Sequence, residues 1–303
     1  MASVRARAAN LVFRRFFKRT FERGHSVESL RSLVQRFDRH AARPPRGIST
    51  IRLELGDFEA ERIATPHARG DRVLLYLPGG GFVARSPALH RGLVARICAE
   101  AQAEALLAFY RLAPENPFPA ALEDCVAAYH HLLEQGSSPS GVVIGGDSAG
   151  GCLTLATLMA LRDRGTPLPA AAFTLSAVTD LRSHANGSRT ENRRQDPVVS
   201  IDHADKWHRY YVAHEEFSLT DPLVSPVLGD FSGLPPLLMQ ASTTEILLDD
   251  SRLAAAAACA AGVDCTLELF HGVAHVWHAL PYLPESRRAV HSIGSFVRAH
   301  AGA

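Results

Sequence analysis

Nowhere in the 303 residues do 18 apolar residues run together, so the sequence holds no helix able to span a membrane. Cysteine is scarce as well. Cys98, Cys125, Cys152, Cys259 and Cys265 are odd in number and show no C-x-x-C spacing, which argues against a disulfide framework and for a reduced, cytoplasmic compartment. Net charge is nearly absent: at +1 the chain has no global field to collect an acidic partner, and nucleic acid is not an expected ligand. Lysine is almost missing too, since only Lys18 and Lys206 accompany the arginines, a compositional bias without functional content. What the chain has in quantity is apolar residues, 47% of the total, enough for one sizeable core. Its length fits one large α/β domain or two small ones.

The N-terminus alternates Arg5, Arg7, Arg14, Arg15, Lys18 and Arg19 with Val4, Leu11, Val12, Phe13, Phe16 and Phe17, the pattern of a basic amphipathic helix. Three placements compete: a helix packed on the body of the protein, a membrane-surface helix, and an organelle transit peptide. A second helical stretch, Val27 to Phe37, follows directly and favours the packed helix. The apolar centre of a secretory signal is lacking.

After Arg43-Pro44-Pro45-Arg46-Gly47 the pattern becomes extended, with Ile51, Leu53 and Leu55 alternating as in an edge strand. Short apolar runs follow at Val73 to Leu77, Ala105 to Tyr110, Val142 to Gly145, Ala170 to Ser176, Pro236 to Ala241 and Cys265 to Phe270. Helical periods separate them at Ala88 to Glu100, Pro119 to Glu134, Ala149 to Arg164 and Leu247 to Ala261, with another at Glu285 to His300. Nearly all-apolar strands alternating with helices predict an α/β fold, a mostly parallel sheet flanked by helices on both faces. From about Leu181 to Pro222 the alternation stops. Charges, histidines and an aromatic helix around Trp207, Tyr210 and Tyr211 take its place, as expected of an insertion over the sheet's active edge.

The run Val142-Val143-Ile144 leads into Gly146-Asp147-Ser148-Ala149-Gly150, and a helical period follows. This is G-x-S-x-G between a strand and a helix. A serine in such a sharp turn is lifted clear of the sheet, and the first helical N–H groups point at whatever bonds to it. Ser148 is therefore a candidate nucleophile, and the Ala149 N–H a candidate oxyanion donor.

A second glycine-rich loop, Pro78-Gly79-Gly80-Gly81-Phe82, follows the strand ending at Leu77 and exposes backbone N–H groups. It also fits G-x-G-x-x-A, but a dinucleotide fingerprint opens a helix directly and places an acid about 20 residues on. Here Ser86-Pro87 delays the helix and the next strand ends in Tyr110-Arg111. A serine hydroxyl needs a base, and His275 follows the strand Cys265 to Phe270. The base needs an acid, and the loop after Gln240-Ala241 offers Glu245, with Asp249 and Asp250 a turn later. Serine, acid, histidine is the chain order this fold uses. His271, His275 and His278 raise a metal site as an alternative, but no Cys or carboxylate stands beside them at ligand spacing, so no metal is expected.

With these residues in place, the chain resembles the bacterial esterases of the hormone-sensitive-lipase branch of the α/β-hydrolases. The resemblance rests on Gly145-Gly146-Asp147-Ser148-Ala149-Gly150-Gly151 and on Tyr110-Arg111-Leu112-Ala113-Pro114-Glu115 with Pro117-Phe118-Pro119-Ala120-Ala121 and Asp124. Asp221-Pro222-Leu223-Val224-Ser225-Pro226 adds to it, and the match covers roughly residues 50 to 300. It implies an α/β-hydrolase fold: a helical cap region over 1–46, and a catalytic domain over 47–303 carrying a cap insertion at about 181–222.

The resemblance also implies Ser148, Glu245 and His275 as the triad and Gly80, Gly81 and Ala149 as oxyanion donors, with Phe82, Trp207 and Tyr211 binding substrate. The family acid is commonly the first Asp of Asp-x-Leu-x-Asp, which falls here on Glu245. The family oxyanion loop begins with His, where this chain has Pro78, a residue that fixes its own φ and brings no side-chain donor. The implied activity is hydrolysis of short- to medium-chain carboxylic esters through an acyl-enzyme, without metal or organic cofactor. A lactone would undergo the same chemistry with its alcohol tethered. A different class, a small-molecule receptor on a disabled hydrolase, would lack the histidine that stands here at 275. The family's habits also allow a homodimer.

Overall fold

Val73-Leu74-Leu75-Tyr76-Leu77 is apolar at every position, as a strand must be when both of its faces are covered. In the computed structural model, which describes residues 2–18, 26–39, 41, 45–182 and 187–302, that segment sits in the middle of the sheet. The strands are β1 (Ser49–Leu55), β2 (Phe58–Ala64), β3 (Val73–Leu77), β4 (Glu104–Phe109), β5 (Val142–Asp147), β6 (Ala171–Leu175), β7 (Leu237–Ser242) and β8 (Cys265–Phe270). Among the described residues they form one sheet in the order β1-β2-β4-β3-β5-β6-β7-β8. β1 and β2 pair antiparallel, β2 meets β4 antiparallel, and all the remaining pairs are parallel. The strands and helices expected from β3 onward appear within two residues of their predicted ends.

Alternate side chains of the central strands feed two cores. Leu74, Tyr76, Val143 and Phe173 face the Pro87–Ala101 and Pro284–His300 helices, which bring Leu93, Ile97 and Ile293. Leu75, Leu77, Ile144 and Met239 face the other way, under the Ala120–Glu134, Ala149–Asp163 and Leu248–Ala260 helices. Burying each such side chain is worth about 1.5–3 kcal/mol, so the sheet position of the site is firmly set.

β2 escapes the sequence pattern because Phe58-Glu59-Ala60-Glu61-Arg62-Ile63 is half charged. It forms because Gly56, at φ +66°, allows a two-residue hairpin, while Phe58, Ala60 and Ile63 are buried. Buried Glu61 takes both N–H groups of the Arg91 fork, at 2.7 and 2.6 Å.

The basic N-terminal segment lies on the body of the protein. The Val4–Phe13 helix starts at Ser3, whose Oγ accepts the Ala6 N–H, and whose own N–H and hydroxyl donate to Glu285 at 2.6 and 3.0 Å. Ala6 is buried with Val273, Trp277 and Leu283, and Asn10 donates to the Gly272 carbonyl. Arg19, Arg43 and Pro44, counted in the basic helix and its break, lie outside the described residues, as do the side chains of Phe16 and Phe17. Between β6 and β7 the chain departs from the sheet and carries the helices Gly187–Glu191 and Ile201–Tyr211. No helix among the described residues is long and apolar enough to cross a membrane.

Candidate active site

β5 ends in a turn so tight that Ser148 takes φ +52° and ψ −118°, a strained backbone for a residue with a side chain. Its N–H is held by the Leu175 carbonyl of β6 at 2.9 Å. Glycine is required on either side: a Cβ on Gly150 would strike the Leu77 carbonyl oxygen, and one on Gly146 the Gly150 carbonyl. The turn therefore delivers the Ser148 hydroxyl to the carboxyl ends of the strands, where open α/β sheets place their chemistry.

The loop after β8 brings His275 to that hydroxyl. The Val273 carbonyl accepts from the side chains of Ser242 and Thr244, and Val276 sits at φ +50° with its N–H on Ser176 Oγ. A β-branched residue with positive φ is a second strained point, here directly beside the histidine. His275 Nε2 lies 3.0 Å from Ser148 Oγ and Nδ1 lies 2.8 Å from Glu245 Oε2. The carboxylate fixes the proton on Nδ1, leaving Nε2 to accept from the serine. Glu245 is fully buried and its Oε1 accepts the Ser242 N–H at 2.7 Å. Burial works against a charged His275. The Glu245 hydrogen bond and charge, with Asp196 and Asp147 behind, outweigh it and hold the pKa above the ordinary imidazole value.

Asp249 and Asp250 do not reach His275. Asp249 accepts the Ser188 N–H and pairs with Arg252, while Asp250 accepts from Thr179, Asp180 and the buried Arg189. Two residues invisible to sequence reasoning serve the acid loop instead. Asn192 donates to the Thr243 and Glu245 carbonyls, and buried Asp196 accepts the Ile246 N–H at 2.9 Å. Both come from the insertion, and a lone Asn or Asp in a polar segment carries no signal of such a role.

The glycine loop lies across from Ser148. Gly80, Gly81 and Phe82 all have positive φ, at +137°, +62° and +64°. The Tyr110 hydroxyl donates to the Pro78 carbonyl at 2.7 Å, and Asp147 Oδ1 accepts the Gly79 N–H at 3.1 Å. Among the described residues no carbonyl takes the N–H of Gly80 or Gly81. These two groups, and the first N–H of the Ala149–Asp163 helix, are donors without an intramolecular acceptor, as an oxyanion site needs.

A cavity of about 810 Å³ opens over Ser148 and His275. Its walls are mainly apolar and come from the N-terminal helices (Phe13, Val34, Phe37), the insertion (Val198, Trp207) and the His275 loop (Leu280). Phe82 and Trp207 line it, and Tyr211 does not. Tyr211 is buried behind Phe82, stacked on it at 3.8 Å with 10° between the rings, so it supports the wall without lining this cavity. The three histidines of the His275 loop are not assembled for a metal. His271 is exposed, and buried His278 binds Gln240 at 2.9 Å with its pKa pushed down to about 3 by burial. No group of three metal-ligating side chains occurs among the described residues.

Over residues 74–279 the chain matches the alpha/beta hydrolase fold family. It is 43% identical over 260 residues to an acetyl-hydrolase of Streptomyces hygroscopicus, an overlap covering 86% of this chain and 84% of that one. It is 31% identical over 245 residues to an esterase of Acinetobacter venetianus, covering 80% of each. The crystal structure of an esterase from the bacterial hormone-sensitive lipase family superposes with a TM-score of 0.91 at 39% identity, covering 99% of both chains.

Proposed function

The chain belongs to the α/β-hydrolase fold family, in its bacterial hormone-sensitive-lipase branch, and as a carboxylic ester hydrolase of that branch we propose that it works by acyl transfer through Ser148. His275 Nε2 takes the Ser148 proton as Oγ attacks the ester carbonyl. The N–H groups of Gly80, Gly81 and Ala149 receive the oxyanion, each such donor being worth about 3 kcal/mol in the transition state. His275 then protonates the departing alcohol. Water enters, loses its proton to the same nitrogen and frees the acid. Glu245 keeps the imidazole in the reactive tautomer and stabilises its charged form.

The observation that carries this reading is the relay Ser148 Oγ to His275 Nε2 at 3.0 Å and His275 Nδ1 to Glu245 at 2.8 Å, opening into an apolar cavity. In the same reading the N-terminal helices and the insertion form the cap. They wall the cavity opposite the sheet and favour short to medium acyl chains. The test is a series of p-nitrophenyl esters of increasing acyl length. Wild-type protein should release p-nitrophenol in steady turnover, and Ser148→Ala should not. Turnover surviving in Ser148→Ala would refute the nucleophile.

A further inference from the structure

Asp147 directly precedes Ser148, yet its carboxylate has no part in the proton relay. It reaches across to β3, where Oδ1 accepts the Tyr76 hydroxyl at 2.9 Å and the Gly79 N–H at 3.1 Å. His90, on the Pro87–Ala101 helix, brings Nε2 within 3.2 Å of the same oxygen. All three side chains are buried.

We propose that the His90–Asp147 pair, braced by Tyr76, is the positioning device that sets the oxyanion loop, working in its charged form. This rests on the reading that Gly80 and Gly81 hold the oxyanion. In this chain the loop begins with Pro78, which has no side-chain donor, so its anchors are Tyr110 at the Pro78 carbonyl and Asp147 at the Gly79 N–H. The Asp147 contact is close: a Cβ on Gly79 would run into Oδ2. A shift of that carboxylate therefore moves the first glycine of the loop.

The charge state follows from the acceptors around the ring. His90 Nδ1 faces the Ser86 carbonyl oxygen at 2.9 Å, and Nε2 faces a carboxylate. Both nitrogens must donate, which only the imidazolium does. Burial opposes that charge. Asp147 from β5 and Asp38 from the Val27–Asp38 helix offset it, Asp38 also capping the N–H groups of Ala88 and Leu89. The Tyr76 ring stands 6.3 Å away on β3, with its hydroxyl on Asp147. His278, whose buried ring also feels Asp147, stays neutral. When His90 loses its proton, one ring nitrogen is left with a lone pair facing an oxygen acceptor, and the ring loses one of the two bonds that seat it along with its charge. The pair then loosens and the loop with it.

The test is steady-state kinetics on a p-nitrophenyl ester across pH, with Ser148→Ala as the control. Wild-type kcat should fall on the alkaline side, and His90→Gln, which donates without titrating, should lose that alkaline limb. It should keep the acid limb that His275 sets. His90→Ala should lower kcat about ten- to hundredfold, with KM changed less than about threefold, since an ill-placed donor is lost mainly in the transition state. The wild-type profile needs no variant to fold, and a kcat flat through the alkaline range overturns the proposal. So does an alkaline limb that persists in His90→Gln, or a loss confined to KM. Turnover that survives in Ser148→Ala would instead overturn the acyl-enzyme reading, so the two failures are distinct.

Discussion

Asp196 Oδ2 accepts the N–H of Ile246 at 2.9 Å, one residue beyond the Glu245 carboxylate that holds His275. Its Oδ1 accepts the N–H groups of Val198 and Val199 at 2.8 and 2.9 Å, so one buried carboxylate ties the insertion to the acid loop. Asp196→Ala leaves three backbone donors without a partner. It should cost about 3–5 kcal/mol in urea unfolding and lower kcat through misplacement of Glu245. Unchanged stability with full turnover would show that the acid loop stands without the insertion.

Glu245 and Asp250 are both buried, and they separate cleanly by experiment. Glu245→Gln keeps the shape but presents the wrong partner to Nδ1, and should lower kcat by about 10⁴-fold with little change in melting. Asp250→Ala removes the partner of buried Arg189 and the acceptor for Thr179 and Asp180. It should cost about 3–5 kcal/mol of stability while the folded fraction keeps its turnover. The reverse ranking would move the acid to Asp250.

Protonation of His275 sets the acid side of the rate profile. The base acts in its neutral form, and Glu245 holds its pKa above 6.5. kcat/KM should therefore rise with pH through a midpoint above the ordinary imidazole value. In Glu245→Gln the residual activity should rise through a lower midpoint, because the favourable charge is gone while burial remains. A wild-type midpoint at or below 6.5 would mean that burial outweighs Glu245.

The sheet was legible because β3 to β8 are short, mostly apolar runs separated by helical periods, and the elbow because G-x-S-x-G needs both a strand and a helix around it. β2 was hidden by Glu59, Glu61 and Arg62, whose charges only make sense once Arg91 is seen against Glu61. Aromatic residues in the insertion pointed to the cavity but not to its surface. Trp207 lines it, while Tyr211 faces the other way and stacks behind Phe82. Asp147 was visible only as the variable residue of the elbow, since its partners His90, Tyr76 and Gly79 lie on other elements. Polar groups that brace loops from a distance in sequence leave no periodic trace.

Trp207 is the wall residue whose removal should change which ester is used. A Cβ on Gly81 would lie 2.7 Å from Trp207 Cε3, so the indole rests on the oxyanion loop and limits the space beside Ser148. Trp207→Ala opens that space to longer acyl chains. Each added methylene that becomes buried is worth about 0.8 kcal/mol, roughly fourfold in kcat/KM. The ratio of octanoate to butyrate turnover should rise at least about tenfold in Trp207→Ala, with the acetate rate little changed. Gly81→Ala presses on the same ring and strains a residue at φ +62°, so it should depress turnover of every ester without shifting the ratio. An unchanged chain-length profile in Trp207→Ala would place the acyl chain along a different wall of the cavity.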